Sequence, residues 1–91
     1  MSIISPVDTS ELTYNGIDPV LIETDVIGSI NKVEFFCNST KIGEDTDGSD
    51  GWRFAWHPGA DGRYTLSAKA TSNDGLIVYS NTVRLRIVSG I

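Results

Sequence analysis

The sequence predicts an all-β protein: a sandwich of two sheets built from roughly seven to eight short antiparallel strands. Three observations carry this. First, Gly62-Arg63-Tyr64-Thr65-Leu66-Ser67-Ala68-Lys69-Ala70 alternates strictly, with Tyr64, Leu66, Ala68 and Ala70 on one side of an extended chain and Arg63, Thr65, Ser67 and Lys69 on the other. Second, turn signals bracket this stretch, Pro58-Gly59-Ala60-Asp61-Gly62 before it and Asn73-Asp74-Gly75 after it, and similar signals recur about every ten residues. Third, no stretch carries the competing helical period.

Taken in order, Ile3-Ile4-Ser5-Pro6 reads as a short edge strand stopped by a proline that has no N–H to give a ladder. Leu12-Thr13-Tyr14 resumes pairing after a loop, and Asn15-Gly16 is a turn dipeptide. From Pro19 to Val26 the chain alternates again, with Val20, Ile22, Thr24 and Val26 inward and Leu21, Glu23 and Asp25 outward. A connection over residues 27–31 leads to a strand from Lys32 to Asn38. There Val33, Phe35 and Cys37 point inward, and Lys32, Glu34 and Phe36 point outward, which makes Phe36 an exposed aromatic. Asn38-Ser39 turns the chain into a short returning strand, Thr40 to Glu44. After the acidic loop Asp45 to Gly51 comes Trp52-Arg53-Phe54-Ala55-Trp56, with its three aromatics on one face. The central strand follows, then Leu76 to Tyr79, and a last strand with Val83, Leu85 and Ile87 inward and Arg84 and Arg86 outward.

At 91 residues the chain is expected to form a single domain over residues 1–91. An apolar content of 40%, including two Trp, three Tyr and three Phe, is enough for one core. The formal net charge of −5, with seven basic residues spread along the chain, argues against nucleic acid as a partner, which needs clustered Lys and Arg. Cys37 is the only cysteine, so no disulfide staples the domain, and its inward position reads as a small core residue. The N-terminus has no basic start followed by an apolar run, so no signal peptide is read there. No segment reaches the ~18 apolar residues of a helical membrane span, and no membrane partner is expected.

A Tyr just inside a strand after a glycine-containing corner, Gly62-Arg63-Tyr64, points to the tyrosine corner of immunoglobulin-like sandwiches, where the ring packs inward and the hydroxyl bonds back to the chain. From Lys32 onward the chain resembles the bacterial Ig-like domains. The resemblance rests on Lys32-Val33-Glu34-Phe35-Phe36 with Asn38 and Ile42-Gly43-Glu44-Asp45, on Trp52-Arg53-Phe54-Ala55-Trp56-His57-Pro58, and on Gly62 to Thr71 with Asn73-Asp74-Gly75. Ser5-Pro6 is similar to the family's opening as well. Such domains recur as tandem modules of secreted carbohydrate-active enzymes and surface proteins, and occur in virion proteins of tailed phages. The resemblance implies that the motif residues, among them Phe35, Phe54, Trp56 and Tyr64, build the core and turns, and that none is catalytic. The loop Asp45 to Gly51 departs from the family by being more acidic and richer in glycine.

Catalysis needs a base or nucleophile held by a partner in a pocket. His57, the only histidine, sits between Trp56 and Pro58 at a strand end with no such neighbour, so the chain is not expected to be an enzyme or to hold a cofactor. Asp45, Asp47, Ser49 and Asp50 place oxygens as the first half of an EF-hand does. However, the sixth position is Asp50 rather than Gly and the twelfth is Trp56 rather than Glu. The expectation is a solvated hairpin loop, with calcium as the alternative. Trp52, Trp56, Phe36 and Tyr79 are the aromatics able to stack on a sugar; Trp56 and Phe54 are assigned to the core, leaving Phe36 and Tyr79 as exposed contact candidates for a protein surface or a glycan. Asn38-Ser39-Thr40 fits the glycosylation pattern by chance.

Two functions follow as expectations. One is a non-catalytic decoration protein on the surface of a phage virion, docking through Phe36 and Tyr79 or the loop Asp45, Asp47, Asp50 onto capsid or tail proteins. The initial Met and the missing leader favour it. The other is an Ig-like spacer or carbohydrate-binding module of a secreted bacterial enzyme or adhesin.

Overall fold

The structure, a computed structural model, describes residues 1–49 and 51–89. Its nine strands are β1 (Ser2–Ser5), β2 (Ser10–Tyr14), β3 (Val20–Asp25), β4 (Ile30–Cys37), β5 (Thr40–Asp45), β6 (Trp52–Trp56), β7 (Gly62–Ser72), β8 (Ile77–Tyr79) and β9 (Val83–Ser89), and the described residues contain no helix. They form two sheets. A small one has the order β1-β3-β6, and a large one the order β2-β9-β7-β4-β5 with β8 added to β7.

The strand alternation carries through to the core. Val33 and Phe35 from β4, Leu66, Ala68 and Ala70 from β7, and Val83, Leu85 and Ile87 from β9 are all buried, facing Ile3, Ile22 and Trp56 of the small sheet. Cys37 is buried among them, and that burial pushes its thiol pKa up. The sheets are joined by aromatic contacts. Phe35 stacks on Phe54 at 5.7 Å between ring centres, and Trp56 meets Tyr64 edge-on at 5.1 Å. Gly43 lies opposite Phe35 in the β4–β5 ladder, and a Cβ there would enter the Phe54 ring, so the missing side chain makes room for that stack. The Tyr64 hydroxyl donates to the Ala60 carbonyl at 2.5 Å, closing the corner before β7.

β7 is the central strand. It pairs with β4 on one side, and on the other with β9 over its first half and β8 over its second. The β4–β5 hairpin turns at Asn38 and Ser39, both at positive φ (50° and 68°), as a two-residue I′-type connection requires. Asn38 also ties this turn to β7, its side-chain oxygen accepting from the Thr65 amide at 2.9 Å.

Two features depart from the sequence reading. The described residues hold nine strands rather than seven to eight, since Ser10–Tyr14 and the short Ile77–Tyr79 both pair fully enough to count as strands. The pairing is also not wholly antiparallel, since β2 runs parallel to β9 from Ser10 opposite Leu85 to Tyr14 opposite Ser89. Short connections impose antiparallel pairing only on strands adjacent in sequence. After the cis Ser5–Pro6 bond, the chain leaves the small sheet and is pinned to β9 by Asp8, which accepts from the Arg84 amide at 2.8 Å, and by Thr9, whose amide donates to the Arg84 carbonyl at 2.7 Å.

The described residues span 45 × 21 × 19 Å. β1 starts opposite the end of β3, where the chain turns into β4. β9 finishes at the other end, where the Ser89 amide donates to Asp61 in the β6–β7 connection.

Candidate functional site

The outer face of the large sheet is the most distinctive surface. Cross-strand register puts Lys32, Glu34 and Phe36 of β4, Lys41 and Glu44 of β5, Arg63, Thr65, Ser67 and Lys69 of β7, and Arg84 and Arg86 of β9 on it. Thus six of the chain's seven basic residues, far apart in sequence, share one face; the seventh, Arg53, lies on the small sheet opposite Glu23. The polar residues alternating with the core in β4, β7 and β9 were the signal for this grouping, but strand pairing was needed to assemble it.

The face has two halves. In the first, Glu34 is only 8% exposed and takes three ammonium groups: Lys41 at 3.0 Å, Lys69 at 3.5 Å and Lys32 at 3.8 Å. Lys41 also reaches Glu44 at 2.6 Å, bridging two carboxylates that face each other across β4 and β5. The Lys41 hydrogen bond holds the Glu34 carboxyl below its ordinary range against a burial effect in the opposite sense, and the charges of Lys32, Lys41 and Lys69 add to it. In the second half, Arg63 lies directly opposite Arg86, and Thr65 opposite Arg84. These residues floor a shallow groove closed on the β2 side by Thr9, Ser10 and Glu11.

The residues expected to make contacts are placed as follows. Phe36 is half-buried rather than exposed, because it is flanked in register by Lys41 on β5 and Ser67 on β7. Tyr79 is 70% exposed on β8, opposite Lys69. Both lie on the outer face but β7 runs between them, about 10 Å of sheet, so they do not form one platform. Leu76, Ile77 and Val78 continue the exposed apolar run beside Tyr79. Trp56 is buried, and Trp52 is half-buried with its indole over Gly48, where a Cβ would collide with the ring.

In the acidic loop, Asp45 belongs to the end of β5. Its two carboxylate oxygens accept from the Asp47 and Arg53 amides, each at 3.0 Å, and Asp47 accepts from the Ser49 amide at 3.0 Å. The bonds from Asp47 to Asp45 and from Ser49 to Asp47 are Asx turns, in which the carboxylates satisfy the loop's own N–H groups, while the Arg53 bond ties Asp45 to β6. The Ser49 amide bond holds the Asp47 carboxyl below its usual range. Asp50 lies outside the described residues. Among the described residues no group of His, Cys, Asp and Glu is arranged to hold a metal ion. Sequence reading did not foresee the pair formed by the Tyr14 hydroxyl and His57 Nδ1 at 3.0 Å, since the two are 43 positions apart and share no motif.

A family model described as a bacterial Ig domain matches residues 1–68, from β1 into β7. Among solved structures, the chain is similar to the Clostridium thermocellum CbhA fibronectin(III)-like modules, with 27% identity and a TM-score of 0.83 over 99% of this chain and 96% of that one. No curated protein matches. The family match over most of the chain and the sandwich that β7 to β9 complete lead to one conclusion: this chain belongs to the bacterial Ig domain family.

Proposed function

We propose that this chain is a non-catalytic module of a secreted bacterial protein, an Ig-like spacer that holds neighbouring parts of a polypeptide apart and offers its outer sheet face for contacts. The observation that carries the reading is the end-to-end likeness to the CbhA fibronectin(III)-like modules, which leaves almost nothing of either chain unmatched. The geometry supports it. The first strand starts at one end of a body 45 Å long and the last strand finishes at the other, so polypeptide continuing from both would be strung along the long axis. The same likeness favours an extracellular setting over the surface of a phage virion, and a module over a capsid decoration protein. A spacer is favoured over a carbohydrate-binding module because Trp52, Trp56 and Phe36 are covered to differing degrees, and only Tyr79 of the four candidate aromatics is largely open.

Sedimentation with insoluble cellulose, chitin and xylan tests this. The purified chain should stay in the supernatant and release no reducing sugar. Retention on any of the three would make it a carbohydrate-binding module, released sugar would make it an enzyme, and specific binding to assembled phage capsids would return it to the virion.

A further inference from the structure

We infer that the groove of Arg63, Arg84 and Arg86 is a docking site for an extended acidic segment of a partner protein, one carrying carboxylates at alternate positions. The inference does not depend on the spacer reading. Arg63 and Arg86 stand directly opposite each other across β7 and β9. Like charges so placed destabilise a sheet, and an anion between them removes that repulsion. The charges on hand do so incompletely. Arg86 reaches Glu11 only at 3.6 Å and Arg84 reaches Asp8 only at 3.4 Å, both arginine side chains remain more than half exposed, and Arg63 has no carboxylate partner among the described residues. Arginine suits the task, because its planar fork binds a carboxylate through two parallel hydrogen bonds.

The spacing selects the ligand. Arg84 and Arg86 lie two residues apart on one strand face, about 6.6 Å. An extended peptide with acidic residues at i and i+2 has the same repeat. Laid along β9, it puts one carboxylate between Arg63 and Arg86 and the next beside Arg84, with Thr65 available as a hydroxyl donor. A polyanionic saccharide fits less well. The floor carries no open aromatic ring for a pyranose, since Tyr64 is turned inward onto Trp56. The Glu11 and Asp8 carboxylates along the β2 side would repel a uniformly charged polymer, whereas a protein segment can offer a cation to each.

The test is an amide-shift NMR titration of the full chain at low salt with three probes: a capped hexapeptide alternating Asp and Ser, a capped peptide of the same composition with its three Asp consecutive, and a trimer of galacturonic acid. The alternating peptide should shift the amides of Arg63, Thr65, Arg84 and Arg86 saturably, bind more tightly than the other two, and weaken at high salt. Arg63→Gln with Arg86→Gln should weaken it by about tenfold or more, the loss expected for charge-assisted hydrogen bonds, while the melting temperature holds or rises. No saturable shift at millimolar peptide, equal affinity for the double variant, or no preference for the alternating spacing would overturn the inference. Tighter binding of the galacturonate trimer would reassign the groove to a saccharide.

Discussion

The two halves of the large sheet's outer face use basic residues in opposite ways. Around Glu34, three lysines converge on one largely covered carboxylate, and Lys41 extends the network to Glu44. A few rows along the same face, two of three arginines reach a carboxylate, Arg84 at 3.4 Å and Arg86 at 3.6 Å, while Arg63, which has no carboxylate partner among the described residues, stands opposite Arg86. The lysine half is closed on itself and belongs to the fold. The arginine half leaves hydrogen-bonding capacity directed at solvent, as a contact surface does. Charge count alone does not separate a structural patch from a binding patch; what separates them is how far each charge is satisfied within the chain.

The largest effect is expected from Glu34→Gln. It leaves three ammonium groups around a neutral amide and should cost about 1–2 kcal/mol, or a melting temperature lower by about 5–15 °C at pH 7 for a domain this size. The pH dependence gives the sign. The folded-state pKa of Glu34 lies below its ordinary value of 4.5, so its contribution is fully present above that value and is lost as pH falls through the lowered pKa. Thermal melts of the chain and the variant should therefore differ at pH 7 and converge in acid. A gap that stays constant from neutral pH into the acid range would mean that shape, and not charge, explains the role of Glu34.

Next comes Arg63→Glu. It replaces a like-charge pair with a salt bridge to Arg86 across β7 and β9, and should raise stability by about 0.5 kcal/mol, read as a small rise in melting temperature that shrinks in high salt. A loss of stability would show that the arginine half, like the lysine half, is already balanced.

The contrast between these halves explains how much was legible before the structure. Alternation is a local property, so the inward sets in β4, β7 and β9 could be read directly, as could the corner residue Tyr64. Pairing is not local. Nothing near Leu12 announces that β2 runs parallel to β9, because Asp8 and Thr9 fasten it to Arg84, 76 and 75 positions away. The same non-locality hid the outer face: Lys41, Arg63 and Arg84 look scattered along the chain until the strands place them on one sheet face. Parity alone places Phe36 on the solvent side, because alternation fixes a face but not what its neighbours cover. The acidic loop reads as a solvated hairpin with calcium as the alternative, and the structure directs Asp45 and Asp47 to backbone amides, the commoner use of Asp in a turn.

The smallest effect should come from the same chemical change made in the open half. Glu11→Gln removes a carboxylate 3.6 Å from Arg86, in a pair where both side chains are about 60% exposed. Exposed pairs of this kind contribute at most a few tenths of a kcal/mol, so the melting temperature should move by no more than about 2 °C. Glu11 is also the residue opposite Arg86 in the parallel β2–β9 ladder, yet that ladder is held by backbone bonds and by Leu12 packing on the core, which the substitution leaves in place. Two Glu→Gln changes on one sheet face thus become a direct measure of the difference between its halves. If Glu11→Gln lowers the melting temperature as much as Glu34→Gln does, the arginine half is a structural network after all, and its groove is closed by the protein's own charges.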